Sequence, residues 1–276
     1  MEIISVWGNP GGGKTTLSLE LAKNIIKETN ENCILVFCED QGSPINFLFP
    51  ELEKEGGSLG KIITSAGFYQ DELKRTLVNH SKNKQLGFLG YRNQETKLTF
   101  PAVTESQVID LFISLGQIVK DGYIIVDCKS DFTNDYMTQY ALNEGQCLMV
   151  GGGDLKSIAF FNSMGQIMED FHGFREKKTI IANNPWDFHS WQLVADKYGK
   201  TQYYFPYCTD VQKAYLEERS IDELVKSKNN KLFIEEMHAL TVSLLGIESM
   251  SNAKGRRQKK EKRSKQRRYK KVEVTE

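Results

Sequence analysis

Apolar runs of four or five residues recur along most of the chain, and between them apolar residues return every three or four positions. The runs Ile3–Trp7, Ile34–Cys38, Leu86–Gly90, Tyr123–Asp127, Cys147–Val150, Thr179–Ala182 and Gln202–Phe205 read as strands. Helical spacing marks Lys14–Lys27, Ser106–Val119, Asn134–Leu142, Leu155–Asp170, Trp191–Lys197 and Val211–Glu217. Strands alternating with helices predict an α/β fold with a mostly parallel, twisted sheet flanked by helices. YIIVD and TIIAN are apolar on both faces, which suits strands covered on both sides. Two more helical patterns, Ile221–Lys228 and Leu232–Leu245, are separated by Asn229 and Asn230. In the second, Leu232, Phe233, Met237, Leu240 and Leu244 form a stripe expected to pack on the body.

Composition adds little to this until charge is resolved by position. The 276 residues are 39% hydrophobic and 26% charged, the balance of an ordinary globular chain and enough for a sizeable core. Formal charge is zero, with 36 Lys+Arg against 36 Asp+Glu, yet residues 254–276 hold 12 of the basic residues and three of the acidic ones. That leaves 24 basic against 33 acidic in the body. The basic stretch has almost nothing apolar to bury, so a disordered tail over residues 251–276 is expected, behind an ordered domain over residues 1–250. Met1 runs directly into Ile3, Ile4 and Val6 with no basic segment or cleavage site, and no window matches a membrane span. A cytoplasmic location is the expectation. Five cysteines without C-x-x-C spacing and four scattered histidines suggest reduced thiols and no zinc site.

The strongest chemical signal is GNPGGGKT, Gly8 to Thr15, which fits G-x-x-x-x-G-K-[ST] between a predicted strand and a predicted helix. Glycines let backbone N–H groups turn towards phosphate oxygens, and the helix that follows points its positive end at the same charge. Gly8, Asn9, Pro10, Gly11, Gly12, Gly13, Lys14, Thr15 and Thr16 are the candidate phosphate cradle. Lys14 would reach the β- and γ-phosphates and the Thr15 hydroxyl would ligate Mg²⁺. Asp127 closes an apolar strand and is the candidate for the magnesium shell, acting through water. Asp40 follows another such run and could orient an attacking water. Gly151–Asp154 is also glycine-rich but lacks a lysine, and reads as a strand-to-helix turn.

Over roughly residues 1–218 the chain resembles the ParA/MinD group of deviant Walker A ATPases, including the CpaE/TadZ branch that localises pili. The likeness rests on the P-loop ending Gly13-Lys14-Thr15-Thr16, on VFCEDQG with Asp40 at the water-positioning aspartate, and on YIIVD. TIIANN near residue 180 and FPYCTDVQKA from Phe205 complete it. The resemblance implies a three-layer P-loop NTPase fold, ATP and Mg²⁺ as cofactors, hydrolysis involving Lys14 and Asp40, and an ATP-dependent homodimer. It also implies that Asn183 or Asn184 faces the adenine, with Pro206 and Tyr207 flanking the base.

Three departures bear on activity. The group's signature lysine, five residues before Lys14, is Asn9 here; Cys38 replaces the first aspartate of D-x-D-x-Q-G; and no proline follows Asp127 in the manner of the usual D-x-P loop. Asn9 offers a hydrogen bond but no charge in trans. The expected function is an ATP-driven switch that positions or partitions a cargo such as DNA, a plasmid or a mobile element. Its basic tail, Lys254 to Lys271, would contact DNA nonspecifically. An anionic membrane surface is the second candidate for the tail. The alternative function is a scaffold for pilus or secretion machinery with weak or no turnover, acting through an unidentified partner protein.

Overall fold

The computed structural model describes residues 1–48, 58–65, 70–80, 83–172, 178–183, 191–199, 201–216 and 228–246. The elements begin with β1 (Glu2–Gly8), α1 (Lys14–Thr29) and β2 (Cys33–Phe37), followed by the short helices α2 (Ile45–Leu48), α3 (Leu59–Ile63) and α4 (Gln70–Thr76). Next come β3 (Val78–His80), β4 (Asn83–Gly90), α5 (Glu105–Val119), β5 (Tyr123–Asp127), α6 (Tyr136–Glu144), β6 (Gln146–Gly151) and α7 (Leu155–His172). The series closes with β7 (Lys178–Asn183), α8 (Trp191–Lys197), β8 (Tyr203–Phe205), α9 (Thr209–Leu216) and α10 (Lys228–Leu244).

The strands form one sheet in the order β3-β4-β2-β5-β1-β6-β7-β8. All neighbours pair in parallel except β3, which runs antiparallel to β4. β1, β2 and β5 are central and buried on both faces, as their unbroken apolar runs require. Registers of Val6 and Phe37 with Asp127 bring the carboxyl ends of these three strands level. Ligand sites of parallel α/β sheets form at that edge.

The core contains Trp7, Val36, Phe112, Leu115, Ile124, Val126 and Met149, packed between the sheet and its helices. Trp7 is fully buried against Phe132, Phe160 and Phe161, so a large aromatic fills the floor directly below the phosphate loop. All five cysteines are free and buried.

β3 has no counterpart among the predicted strands; three residues, one of them a histidine, carry too little periodicity to register. α6 starts at Tyr136, not Asn134, because the Asp135 side chain accepts from the Thr138 amide and caps it. α10 begins at Lys228, ahead of the expected Leu232. The expected helix Ile221–Lys228 lies, but for Lys228, outside the described residues, as does the basic tail. The chain divides into two compact units, Met1–Met237, which holds the whole sheet, and His238–Glu276.

Candidate functional site

The loop Gly8–Gly13 leaves the end of β1 and enters α1 without a side-chain cap. Gly13 occupies the cap position at φ 92°, and Gly11 stands at φ 74°, both in the left-handed region where a side chain is strained. Gly13 offers the first amides of α1 no side-chain acceptor, and a helix start of this kind suits an external acceptor.

Thr15, one residue into α1, donates its Oγ1 proton to Asp127 Oδ2 at 2.6 Å. Asp127 is 4% exposed, and its other oxygen, Oδ1, is buried with no hydrogen-bond partner among the described residues. Burial pushes the Asp127 carboxyl up to about 6, against the lowering effects of the Thr15 hydrogen bond and the Lys14 charge. Lys14 Nζ donates to the Asn9 carbonyl at 3.2 Å and to Ser130 Oγ at 2.9 Å. Burial lowers its pKa, partly offset by the nearby Asp127. A hydroxyl and an orphaned buried carboxylate oxygen beside an uncapped helix fit the hydrated magnesium ion of a nucleoside triphosphate, and Lys14 fits its phosphates.

Asn9 turns inward. It is 4% exposed, its Nδ2 donates to the Pro10 carbonyl at 2.9 Å, and its Oδ1 would stand 2.8 Å from a Cβ placed on Gly12. It therefore braces its own loop and does not project from it.

Asp40, beyond the end of β2, is engaged at both oxygens. Oδ1 forms a buried ion pair with Lys129 Nζ, and Oδ2 accepts the Lys97 backbone N–H at 2.8 Å. Burial alone would raise the Asp40 pKa, but the Lys129 and Lys97 hydrogen bonds outweigh it and hold the carboxyl below its ordinary value. Lys129 also lies 3.8 Å from Asp135, and Lys97 Nζ donates to the Asn134 carbonyl at 2.7 Å. Neither lysine stood out in the sequence. The signal was available, because Lys129 occupies the place of the proline in D-x-P.

The candidate base-binding residues lie on the other half of the sheet. Asn183 ends β7 in register with Phe205, so Pro206, which is buried, and Tyr207 leave β8 beside the end of β7. The Asn183 side chain and all of Asn184 fall outside the described residues. Gly151–Asp154 is a turn into α7: Asp154 accepts from the Ser157 amide at 3.0 Å and from its hydroxyl at 2.6 Å.

A mostly parallel sheet with a strand–glycine loop–helix unit at its centre and a strand-end aspartate beside it is the arrangement of the P-loop fold. No protein-family model matches the sequence, and no match was found among curated proteins. Solved structures do match. A ParA-family ATPase from Chlorobium tepidum superposes with a TM-score of 0.70 at 15% identity, over 86% of this chain and 99% of that one. MinD of Pyrococcus horikoshii, solved with Mg-ADP, gives 0.66 at 14%, over 87% and 96%. A plasmid partition protein from Borrelia burgdorferi, bound to AMPPNP, gives 0.66 at 14%, over 90% and 100%. The chain has the fold of the MinD and ParA-family ATPases.

Proposed function

We propose that this protein is an adenine-nucleotide switch that binds ATP with Mg²⁺ through Gly8–Thr16 and Asp127. The observation that carries this reading is the Thr15–Asp127 hydrogen bond beside the uncapped start of α1, with Asp127 Oδ1 buried and unpartnered. Lys14 orients and neutralises phosphate oxygens, the α1 amides donate hydrogen bonds to them, and Thr15 with Asp127 holds the metal shell. Magnesium supplies charge neutralisation on the phosphates. Asn183 or Asn184, with Pro206 and Tyr207, contacts the base. Asp40 orients water for hydrolysis. ATP closes a homodimer across the carboxyl edge of the sheet, and the tail, residues 254–271, holds DNA nonspecifically until hydrolysis releases it. The protein then positions or partitions a cargo in the cytoplasm; no helix among the described residues is long and apolar enough to cross a membrane.

Asn9 and Asp40 favour a second reading, a scaffold with weak or no turnover. Asn9 presents no charge to a partner, and Asp40 is committed to Lys129. ATP binding and steady-state hydrolysis by the full chain, with and without duplex DNA at low salt, separate the two. Lys14→Ala lowers nucleotide affinity at least tenfold under the proposed site, and unchanged affinity refutes it. Turnover that rises with DNA supports the transport switch, whereas ATP bound without turnover supports the scaffold.

A further inference from the structure

Three loops at the carboxyl edge of the sheet are tied together by buried charge. Asp40 comes from the loop after β2, Lys97 from the loop after β4, and Lys129 and Asp135 from the connection after β5. The side chains of Asp40, Lys129 and Asp135 are 5%, 7% and 8% exposed. Lys129 lies between the two carboxylates, hydrogen-bonded to Asp40 and 3.8 Å from Asp135, and 5.9 Å above the Tyr91 ring centre. Lys97 Nζ also lies 3.8 Å from Asp135, so removing Lys129 leaves Asp40 as the buried carboxylate without a cation.

The next residue connects this cluster to the phosphate loop. Ser130 Oγ accepts from Lys14 Nζ, and its carbonyl accepts from Trp7 Nε1 at 3.2 Å. Lys129 and Ser130 thus join Asp40 on one side to the P-loop lysine on the other. Beside the cluster lies a cavity of about 560 Å³ whose walls include Tyr91, Lys97, Phe100, Asp135 and Met137, which gives the Lys97 and Asp135 side chains room to rearrange.

We infer that Lys129 is a positioning residue that holds Asp40 away from hydrolysis, and that the Lys14–Ser130 contact reports phosphate binding to that hold. The inference rests on the nucleotide-switch reading above. When Lys14 turns to phosphate oxygens it gives up Ser130, so the segment Cys128–Phe132 keeps its anchors to Val6 and Trp7 of β1 but loses the one to α1, and the Lys129–Asp40 pair loosens. Asp40 is then released from the Lys97 amide and can orient water. The segment that carries Lys129 is the one where a D-x-P proline would have stiffened the backbone, and a lysine there exchanges stiffness for a charge latch.

Hydrogen exchange of the full-length protein tests the latch without turnover. Mg²⁺ with AMPPNP should speed exchange of the Lys97 amide at least tenfold in the wild type. Ser130→Ala should uncouple that response while leaving AMPPNP affinity within about threefold of wild type. A Lys97 amide indifferent to AMPPNP overturns the inference, and so does a Ser130→Ala protein that responds like the wild type. In Lys129→Met the Lys97 amide should exchange fast without nucleotide and kcat should rise at least threefold at unchanged KM, with Lys129→Arg restoring most of the restraint. Turnover in Lys129→Met at or below wild type refutes the hold. If the wild type binds neither ATP nor AMPPNP, the nucleotide-switch reading itself fails, a result distinct from bound nucleotide with an unresponsive latch.

Discussion

At the scale of single residues, Asp127 is held at a cost. Its native carboxyl keeps its proton up to about pH 6, while in the unfolded chain it ionises near 3.8. Between those values the native state binds more protons than the unfolded state, so stability falls as pH rises from about 4 to about 6 and then levels. At roughly 1.4 kcal/mol per unit, the loss is on the order of 3 kcal/mol. Asp127→Asn, which cannot ionise, should therefore be about 2–3 kcal/mol more stable than wild type at pH 8 in EDTA and no different near pH 4. Urea denaturation at both pH values checks this, and equal stability at pH 8 would show that the wild-type carboxylate carries no burial penalty. The stabilised variant should lose Mg²⁺-dependent nucleotide binding, since the oxygen that costs stability is the one the metal shell would use.

Among the elements, α1 and α5 start in opposite ways. Thr104 caps α5 with its side chain accepting from the Gln107 amide while Gln107 Oε1 accepts from the Thr104 amide at 2.9 Å, a reciprocal box that satisfies both amides. α1 has a left-handed glycine in that place and no side-chain acceptor. A helix whose task is packing closes its own amides; the one that faces the candidate phosphate site leaves them open. Thr104→Ala should cost about 1 kcal/mol of stability, read from the urea midpoint, with nucleotide affinity unaltered. A cost near zero would mean that water replaces the box without loss. β5 and the connection after it show the same division: Ile124 to Val126 of the strand are core, and the connection carries Lys129 and Ser130, which reach Asp40 and Lys14.

For the whole molecule, charge is segregated along the chain, with an acidic body and 12 Lys/Arg in the last 23 residues. Such a segment binds a polyanion by releasing counterions, with a salt dependence that scales with the phosphates neutralised. Under the proposed function, deleting residues 254–276 should abolish duplex DNA binding, measured by fluorescence anisotropy at low salt, and leave ATP affinity unchanged. DNA binding retained by the shortened chain would move the contact to the body. Full-length protein that prefers vesicles containing phosphatidylserine over duplex DNA would give the tail to a membrane surface instead.

The sequence by itself determined the mostly parallel sheet, the glycine-rich loop between β1 and α1 and the place of Asp127 at a strand end, because each is written in local terms. Unbroken apolar runs mark buried parallel strands, and GNPGGGKT needs only its neighbours to form. β3 was illegible because three residues paired at the sheet margin have no period to read. What only the tertiary structure decided is which distant side chains meet. Asn9 was readable as a lost charge, but that it folds onto Gly12 follows from packing around the loop. Asp40 and Lys129 are 89 positions apart and find each other because β2 and β5 are adjacent and level in the sheet. A charge pair of that kind depends on strand order and register, and neither is encoded in the residues that form the pair.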